Sequence, residues 1–352
     1  MLEISIPVKA ERDYQVLIAE QGIQNLLPQL INELACKKTL IVSVKALKNY
    51  QQIVEKQLKE LNISTETIWI PDGEAGKTLT VLETAWDRAG QIKLERNDLI
   101  ITLGGGAVTD LGGFIAATWL RGIKLLHIPT SLLAMVDAAI GGKTAINTSA
   151  GKNLVGSFYS PHAVLIDPSL LKTLPTEEFT AGLAEIIKCG FIADPKITEL
   201  MQKPIRVTSA ALPELIKRAI KVKAKIVSQD FHEAGIREVL NYGHTLGHAL
   251  EKISNYQLKH GEAVAIGIIF AAKLAEELKI ADQQWVQLQQ KIIETQGLPT
   301  SWREYSPAEL LAQMQTDKKI RDGKLRFVLC SPQRTIVRSV ETAQIKATLE
   351  RK

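Results

Sequence analysis

The chain has 352 residues, a formal net charge of +5, 45% hydrophobic residues and 23% charged residues. These values are typical of a globular protein, and the length favours two domains over a single core. Nucleic acid is not an expected partner, because aromatic residues make up only 5% of the chain and the basic residues are scattered. The longest apolar run, residues 263–272, is far too short for a membrane span, so we also expect no membrane association.

The cysteine pattern and the first residues favour a reducing cytoplasm. Cys36, Cys189 and Cys330 lie far apart and form no redox or metal motif. Residues 1–7 show neither the apolar segment nor the cleavage site of a secretion signal. We therefore expect a cytoplasmic protein.

The first half of the chain alternates short β-branched runs with helical patterns, which predicts βαβ units around a largely parallel sheet. The predicted strands are 3–8, 14–19, 39–44, 65–70, 98–103, 123–128 and 163–166. The predicted helices are 23–34, 46–61, 79–92 and 108–120.

After residue 168 the pattern changes to long helices, at 177–192, 212–228, 238–254, 262–278 and 283–296. A hairpin is predicted at 325–330 and 335–340. The fold class is therefore α/β plus all-α, with an α/β domain at residues 1–173 and a mainly α-helical domain at residues 174–352.

Two glycine-containing turns follow predicted strands. Gly104-Gly105-Gly106 opens a helix, and such a turn can receive a phosphate on the free N–H groups of the helix. Thr109 stands where Gly-x-Gly-x-x-Gly would place its last glycine, so a tight packing turn is an equally good interpretation. The turn at 71–78 contains Asp72, Glu74 and Lys77, which suits a solvated turn or a ribose-binding carboxylate.

Three charged residues fall in apolar surroundings. Asp137 lies in an apolar run and needs a cationic partner, which Lys143 or Lys152 could supply. Glu185 is bracketed by apolar residues, and burial would require a metal or a cation nearby. Lys223 lies on the apolar face of its predicted helix and is expected to point inward, toward an anionic group.

Four of the six histidines lie between residues 232 and 260. A single helix over 237–251 would place Arg237, Asn241, His244, His248 and Glu251 on one face. His244 and His248, four residues apart, could share a metal, and His260 offers a further ligand. Two histidines and a carboxylate form a minimal catalytic zinc set. Because Gly243 and Gly247 weaken a helix, we expect another segment or a ligand to approach closely there.

These segments together resemble the 3-dehydroquinate synthase family of sugar-phosphate cyclases, over residues 72–319. The motifs that carry the resemblance are Asp72-Gly73-Glu74, Gly104-Gly105-Gly106, Met135-Val136-Asp137, Gly182-Leu183-Ala184-Glu185 and Leu240-Asn241-Tyr242-Gly243-His244. The resemblance implies a Rossmann-like NAD-binding domain followed by a metal- and substrate-binding domain. One departure is Ser43-Val44-Lys45, where relatives usually have an acidic residue.

The resemblance also implies a role for individual residues. Glu185, His244 and His260 would bind Zn²⁺ or Co²⁺, and His248 would face the substrate. The implied NAD contacts are Asp72, Gly73, Glu74, Lys77, Gly105, Gly106, Ala107, Val108, Thr109, Asp110, Thr130, Ser131, Lys143, Lys152, Leu170, Leu171, Lys172 and Thr173. The implied substrate contacts are Arg121, Asp137, Lys143, Lys152, Asn153, Lys188, Lys223, Arg237, Asn241, His248, Lys318 and Lys319. Of these, the implied catalytic residues are Lys152, Lys223, Arg237, Asn241 and His248.

The implied reaction converts 3-deoxy-D-arabino-heptulosonate 7-phosphate to 3-dehydroquinate and phosphate, in the shikimate pathway of aromatic amino acid biosynthesis. NAD would oxidise the substrate transiently, phosphate would be eliminated, the hydride would return, and an intramolecular aldol step would close the ring. A homodimer is expected. The alternatives are another sugar-phosphate cyclase, a metal-dependent polyol dehydrogenase of the same fold, and a basic binding protein with a structural zinc.

Overall fold

The computed structural model describes residues 4–315, 320–321 and 324–351. The chain forms two compact units. The first unit comprises Met1–Leu174 and Lys223–His232, and the second comprises Pro175–Val222 and Glu233–Lys352. Compared with the predicted division at residues 173 and 174, the segment 223–232 belongs to the first unit. Among the described residues, none of the helices combines the length and apolar character that a bilayer crossing requires.

The first unit is built on a seven-stranded sheet with the strand order β1-β2-β9-β6-β5-β3-β4. All neighbouring strands are parallel except β1 and β2, so the prediction of a largely parallel sheet is confirmed. The strands of this unit are β1 (Ile4–Val8), β2 (Tyr14–Ile18), β3 (Lys38–Val44), β4 (Ser64–Ile70), β5 (Leu99–Gly104), β6 (Lys124–Pro129), β7 (Lys143–Thr148), β8 (Gly151–Phe158) and β9 (Ala163–Ile166).

Helices cover this sheet, and buried side chains of strands and helices form its core. The helices are α1 (Gly22–Asn25), α2 (Leu27–Leu34), α3 (Lys48–Glu60), α4 (Leu79–Gln91) and α5 (Gly106–Thr118). Every residue of β5 is buried, which explains why this central parallel strand has a continuous apolar run in the sequence.

The antiparallel hairpin of β7 and β8 was not predicted from the sequence. Most of β8 is exposed, and a bulge between Ile146 and Thr148 shifts the pairing register. The strand therefore lacks the alternation of apolar and polar residues by which half-buried strands are recognised.

The second unit is mainly helical and ends in a small antiparallel sheet with the order β10-β11-β12. The predicted hairpin corresponds to β11 and β12 and is confirmed. The elements are α6 (Thr176–Ala193), α7 (Pro195–Leu200), α8 (Leu212–Gln229, whose last residues belong to the first unit), α9 (His244–Ile253), α10 (His260–Glu277), α11 (Gln283–Thr295), α12 (Pro307–Gln315), β10 (Ile320–Arg321), β11 (Lys324–Cys330), β12 (Thr335–Val340) and α13 (Thr342–Glu350).

The predicted helix 238–254 is wrong in its first part. Residues Ile236–Asn241 form a 3₁₀ turn, and Gly243 has a φ of 82°, so α9 begins only at His244. A left-handed residue cannot continue a right-handed helix. Arg237 and Asn241 therefore lie on a separate turn and do not extend the α9 face that carries His244 and His248.

Glycines allow α10 to pack closely against its neighbours in the second unit. A Cβ atom on Gly267 would lie 1.9 Å from the Gly243 carbonyl oxygen, and one on Gly261 would lie 1.9 Å from the Ala181 carbonyl oxygen. A Cβ atom on Gly247 would lie 3.1 Å from the Ala263 carbonyl oxygen. The close approach expected at Gly243 and Gly247 is confirmed, and the approaching segment is α10.

Candidate active site

A carboxylate and two imidazoles from three helices converge in the second unit. Glu185 lies in α6, His244 is the first residue of α9, and His260 is the first residue of α10. One potential ligand atom of each lies within 4.8 Å of the others. Glu185 Oε1 is 3.8 Å from His244 Nε2 and 3.7 Å from His260 Nε2.

This donor set fits a divalent metal. Two donor atoms about 2.05 Å from a tetrahedral zinc would be roughly 3.3 Å apart, and the observed distances exceed this by a few tenths of an ångström. Two histidine nitrogens and one carboxylate oxygen suit zinc and cobalt, and three protein ligands leave a coordination position for substrate or water.

The Nδ1 atoms of both histidines are hydrogen-bonded, so each ring directs Nε2 toward Glu185. His244 Nδ1 is 3.1 Å from the carbonyl oxygen of Tyr242, and His260 Nδ1 is 3.3 Å from Glu251 Oε2. An acceptor on Nδ1 fixes the tautomer in which Nε2 is free to bind a metal.

The carboxylates also control the charge of His260. Burial opposes a positive charge on the ring, but hydrogen bonds and negative charge from Glu185 and Glu251 raise the pKa of His260 to about 10. An environment that stabilises a proton on His260 also stabilises a metal cation at the same position.

Further charged and polar groups surround the cluster in the second unit. The Lys188 ammonium contacts Glu185 Oε2, and both side chains are buried, so this i,i+3 pair is not the surface ion pair that the spacing alone would allow. The His248 ring centroid lies 5.3 Å from that of His244 and 6.4 Å from that of His260. The set of clustered ligand atoms contains His260 rather than His248, which resolves the alternative pairs left open by spacing.

Arg237 and Asn241 are held on their 3₁₀ turn by neighbouring contacts. Arg237 is buried, and the amide of Asn241 donates to Glu233 Oε1 at 2.9 Å. The Arg326 guanidinium makes a bidentate pair with Glu238, the residue that follows Arg237, at 3.0 and 2.9 Å. Such two-point pairs fix geometry as well as charge.

A second polar network lies in the first unit around Lys77. Lys77 Nζ donates to Asp110 Oδ2 at 2.6 Å and to Asn153 Oδ1 at 2.5 Å. The Asn147 amide donates to Glu74 Oε2 at 2.5 Å. Burial raises the pKa of Asp110 above its ordinary value, and the positive charge and hydrogen bond of Lys77 offset only part of this rise. The network joins residues from three of the predicted cofactor-binding and substrate-binding segments.

Asp137 pairs with a lysine that is distant in sequence. Asp137 lies in the π-helical turn Ala134–Ala138, and Lys223 Nζ lies 2.5 Å from its Oδ1 and 2.6 Å from its carbonyl oxygen. The expected inward orientation of Lys223 is confirmed. The sequence offered Lys143 or Lys152 as the partner of Asp137; Lys223, 86 residues away, is a partner that the sequence spacing did not indicate.

The glycine turn after β5 lies beside a predicted cofactor segment. Gly105 precedes the first residue of α5, and a Cβ atom on it would lie 3.4 Å from Ser131 Oγ. The Thr130 amide donates to the Gly104 carbonyl oxygen at 2.9 Å, and the Thr109 hydroxyl donates to the Gly106 carbonyl oxygen at 2.9 Å. Both interpretations of this turn, phosphate binding and close packing, remain compatible with this geometry.

The remaining predicted site residues lie in other parts of the structure. Arg121 is exposed at the end of the turn Trp119–Arg121, and Lys143 is exposed at the start of β7. Leu170 and Leu171 are buried in the 3₁₀ segment Pro168–Thr173, so they offer main-chain groups at most. Lys318 and Lys319 lie outside the described residues.

Sequence reasoning assigned no role to two groups at the cluster. The sequence places Glu251 on the histidine face, seven residues after His244, but gives it no partner. The Tyr242 carbonyl gave no signal, because main-chain acceptors cannot be identified from residue types.

Solved structures define the class of fold. A 2-deoxy-scyllo-inosose synthase complexed with carbaglucose-6-phosphate, NAD⁺ and Co²⁺ matches with a TM-score of 0.88 at 25% identity, covering 98% of this chain and 99% of that chain. A 2-epi-5-epi-valiolone synthase from Streptomyces hygroscopicus subsp. jinggangensis 5008 with NAD⁺ and Zn²⁺ bound matches with a TM-score of 0.86 at 24% identity, covering 98% of each chain. The chain therefore has the fold of the sugar-phosphate cyclases.

Sequence comparison defines the family more narrowly. The 3-dehydroquinate synthase N-terminal and C-terminal family models match residues 67–181 and 182–320. A 3-dehydroquinate synthase of Rhodococcus opacus (strain B4) is 47% identical over 331 residues, which cover 93% of this chain and 88% of that protein. The chain belongs to the 3-dehydroquinate synthase family, which confirms the resemblance noted in its motifs.

Proposed function

We propose that the chain converts 3-deoxy-D-arabino-heptulosonate 7-phosphate to 3-dehydroquinate and phosphate, as a lyase of the shikimate pathway. The observation that carries this proposal is the cluster of Glu185, His244 and His260 in a chain of this family. A relative with 47% identity carries the name of this activity.

The proposed cofactors are NAD and a divalent metal, zinc or cobalt. Glu185, His244 and His260 would hold the metal, and the segments around Glu74, Lys77 and the Gly105 turn would hold NAD. When bound, the metal supplies Lewis acidity at a substrate oxygen, and NAD supplies a reversible hydride acceptor. The solved 2-deoxy-scyllo-inosose synthase holds NAD⁺ and Co²⁺, which supports this pair of cofactors.

Cationic residues of the second unit suit an anionic substrate. Lys188 and Arg237 are both buried, and buried cations need anionic partners. Lys188 is paired with Glu185. Once a bound metal also interacts with that carboxylate, Lys188 would be able to help hold a substrate anion. Asn241, oriented by Glu233, would donate or accept a directional hydrogen bond.

The first unit would contribute further cations. Lys223 would be positioned by Asp137, and Lys152 and Asn153 lie at the start of β8. Asp110 and Lys77 would act together at the cofactor, since an ion pair with one buried partner keeps both side chains in fixed orientations.

An assay of phosphate release tests the proposed reaction. The purified chain is incubated with the heptulosonate phosphate, catalytic NAD⁺ and zinc, and phosphate and NADH are measured together. We expect phosphate to form in proportion to substrate consumed with no net NADH, and a chelator should abolish the reaction. Net NADH would identify a dehydrogenase, and the absence of turnover would exclude the proposed substrate.

Glucose 6-phosphate is the matched comparison substrate, because it carries the phosphate but no carboxylate. We expect it to be turned over at least about 100-fold less efficiently, since the lost charge-assisted contacts are worth a few kcal/mol. Preferred turnover of glucose 6-phosphate would instead indicate another sugar-phosphate cyclase.

Two histidine variants separate metal binding from catalysis. His244→Ala should lower zinc affinity by more than about 100-fold, because it removes a direct ligand. His248→Ala should retain zinc and lose rate. Loss of zinc in both variants would show that the metal lies between the three rings in another arrangement.

The proposal also includes a homodimer in the cytoplasm. Light scattering of the purified chain should give twice the monomer mass of 38.8 kDa. Cell fractionation should recover the protein with cytoplasmic markers.

A further inference from the structure

Glu251 is a buried carboxylate beside the proposed metal position that supplies none of the clustered ligand atoms. It lies in the last full turn of α9, seven residues after His244, and its Oε2 is 3.3 Å from His260 Nδ1. The side chain thus contacts a proposed metal ligand from the side opposite to Glu185. A buried carboxylate is costly unless its charge serves an interaction.

His260 needs such a partner more than His244 does. The side chain of His260 is 29% exposed, compared with 11% for His244 and 2% for Glu185. The main chain at His260 is anchored, because Gly261 packs directly against the Ala181 carbonyl. Of the three proposed ligands, the His260 side chain is the most exposed, so packing restricts the rotation of its ring the least.

The two histidines also differ in the kind of acceptor they use. His244 uses a main-chain carbonyl two residues away, whereas His260 uses a carboxylate on a different helix. A carboxylate on the remote ring nitrogen both fixes the tautomer and makes the imidazole a stronger metal donor. His260 also begins α10, where the helix dipole disfavours positive charge, and a nearby carboxylate offsets this effect.

We propose that Glu251 is a positioning residue that holds the His260 ring with Nε2 toward Glu185 and strengthens it as a metal ligand. This role rests on the proposed metal site. Glu251 acts through His260 and has no assigned contact with substrate or cofactor.

Zinc affinity of Glu251 variants tests this role. The full chain is titrated in competition with a chromophoric chelator, so the measurement does not depend on turnover. Glu251→Gln keeps an acceptor of similar shape but loses the charge, and we expect about a 10-fold loss of affinity. Glu251→Ala loses both, and we expect a loss approaching 100-fold. Glu251→Asp, which restores the charge, should bind more tightly than Glu251→Ala.

Glu262→Gln is the matched control at the same helix end. Glu262 Oε2 accepts a hydrogen bond from the Lys259 main-chain amide at 2.9 Å, so this variant perturbs the start of α10 through the main chain rather than through the His260 ring. We expect its zinc affinity to stay within about twofold of the wild type. The absorption bands of the cobalt-loaded protein should shift in Glu251→Ala and not in Glu262→Gln.

The outcomes separate this role from the proposed function. Zinc binding by the wild type together with unchanged affinity in Glu251→Ala would overturn the role of Glu251 alone. An equal loss in Glu262→Gln would show that Glu251 acts only by stabilising the helix end. A wild-type chain that binds neither zinc nor cobalt would overturn the metal site itself.

Discussion

The buried charges of the first unit and those of the second unit are accommodated in two different ways. In the first unit, Lys77 lies 2.6 Å from Asp110 and Lys223 lies 2.5 Å from Asp137, so each buried ammonium faces a carboxylate. In the second unit, two carboxylates share one ammonium and two imidazoles, which leaves one net negative charge among these five side chains when the imidazoles are neutral.

The difference shows which cluster is arranged to receive a cation. A pair of opposite charges is satisfied within the chain and mainly fixes side-chain orientation. In the second cluster, the carboxylates raise the pKa of His260 to about 10, and a divalent metal can supply the positive charge in place of that proton. Variants of each unit and metal binding can test this contrast.

Removal of one member of the Lys77 pair should destabilise the first unit. Lys77 is 1% exposed and Asp110 is 20% exposed. Asp110→Ala removes the carboxylate 2.6 Å from the more buried charge and leaves that of Glu74 at 4.0 Å, and we expect the free energy of unfolding to fall by about 3 kcal/mol. Lys77→Met should cost less, because water can reach Asp110. Urea unfolding of both variants measures the difference, and equal losses would contradict the pairing argument.

Metal should stabilise only the second unit. Zinc at a free concentration of 100 Kd should raise the free energy of unfolding by about 2.7 kcal/mol. Hydrogen exchange should slow in peptides of α6, α9 and α10 and stay unchanged in peptides of β5 and α5. Equal protection in both sets of peptides would show that the contrast between the units is wrong.

The close packing of glycine residues around the metal cluster should stabilise the second unit. A methyl group on Gly267 would overlap the Gly243 carbonyl, so Gly267→Ala should lower the free energy of unfolding by about 1–3 kcal/mol. The same substitution at Gly90 in α4 meets only a Trp119 ring atom at 3.5 Å and should be neutral or stabilising by up to about 1 kcal/mol. Thermal unfolding of the two variants gives the comparison. Similar effects would exclude close packing at Gly267 as the cause.

The pH dependence of the first unit should include a contribution from His127. Burial lowers the pKa of His127 to about 3, below its ordinary value of 6.5. The unfolded chain therefore binds a proton that the folded chain does not, and stability is lost as the pH falls below about 6.5. Between pH 7.5 and 5.5 the loss should be roughly 1.4 kcal/mol.

His127→Asn is the matched variant for this measurement, because its amide can still pair with Thr102, which lies 2.7 Å from His127 Nδ1. Urea unfolding at the two pH values should show a smaller pH dependence in the variant. An unchanged dependence would assign the effect to other groups.

Most helices and strands can be located from the sequence, because the burial of one face imposes a periodic pattern of apolar residues. The fully buried β5 and the one-sided helices of both units produce apolar patterns that can be read directly. The exposed β8 gave no such pattern and was missed. The helix predicted from residue 238 was wrong because the left-handed backbone at Gly243 interrupts an otherwise helical sequence.

The candidate site was predictable in its residue types and less so in its pairings. Glu185 and Lys223 stood out as charges on apolar faces, and both are buried. Lys223 could not be identified from the sequence as a partner of Asp137, because it lies 86 residues away on another helix. Glu251 could be placed on a helix face, but its contact with His260 depends on the loop between α9 and α10.

Local sequence patterns are enough to predict the alternation of strands and helices, the change to a helical second half, and the presence of buried acids, lysines and histidines. These features follow from local periodicity and from the cost of burying charge. The motif resemblance implied that His260 joins His244 and Glu185, whereas the spacing of residues left His248 equally possible, and the folded structure brings His260 into the cluster. The reason is that contacts between α6, α9 and α10 depend on close main-chain approach at Gly243, Gly261 and Gly267, which spacing along one helix cannot reveal.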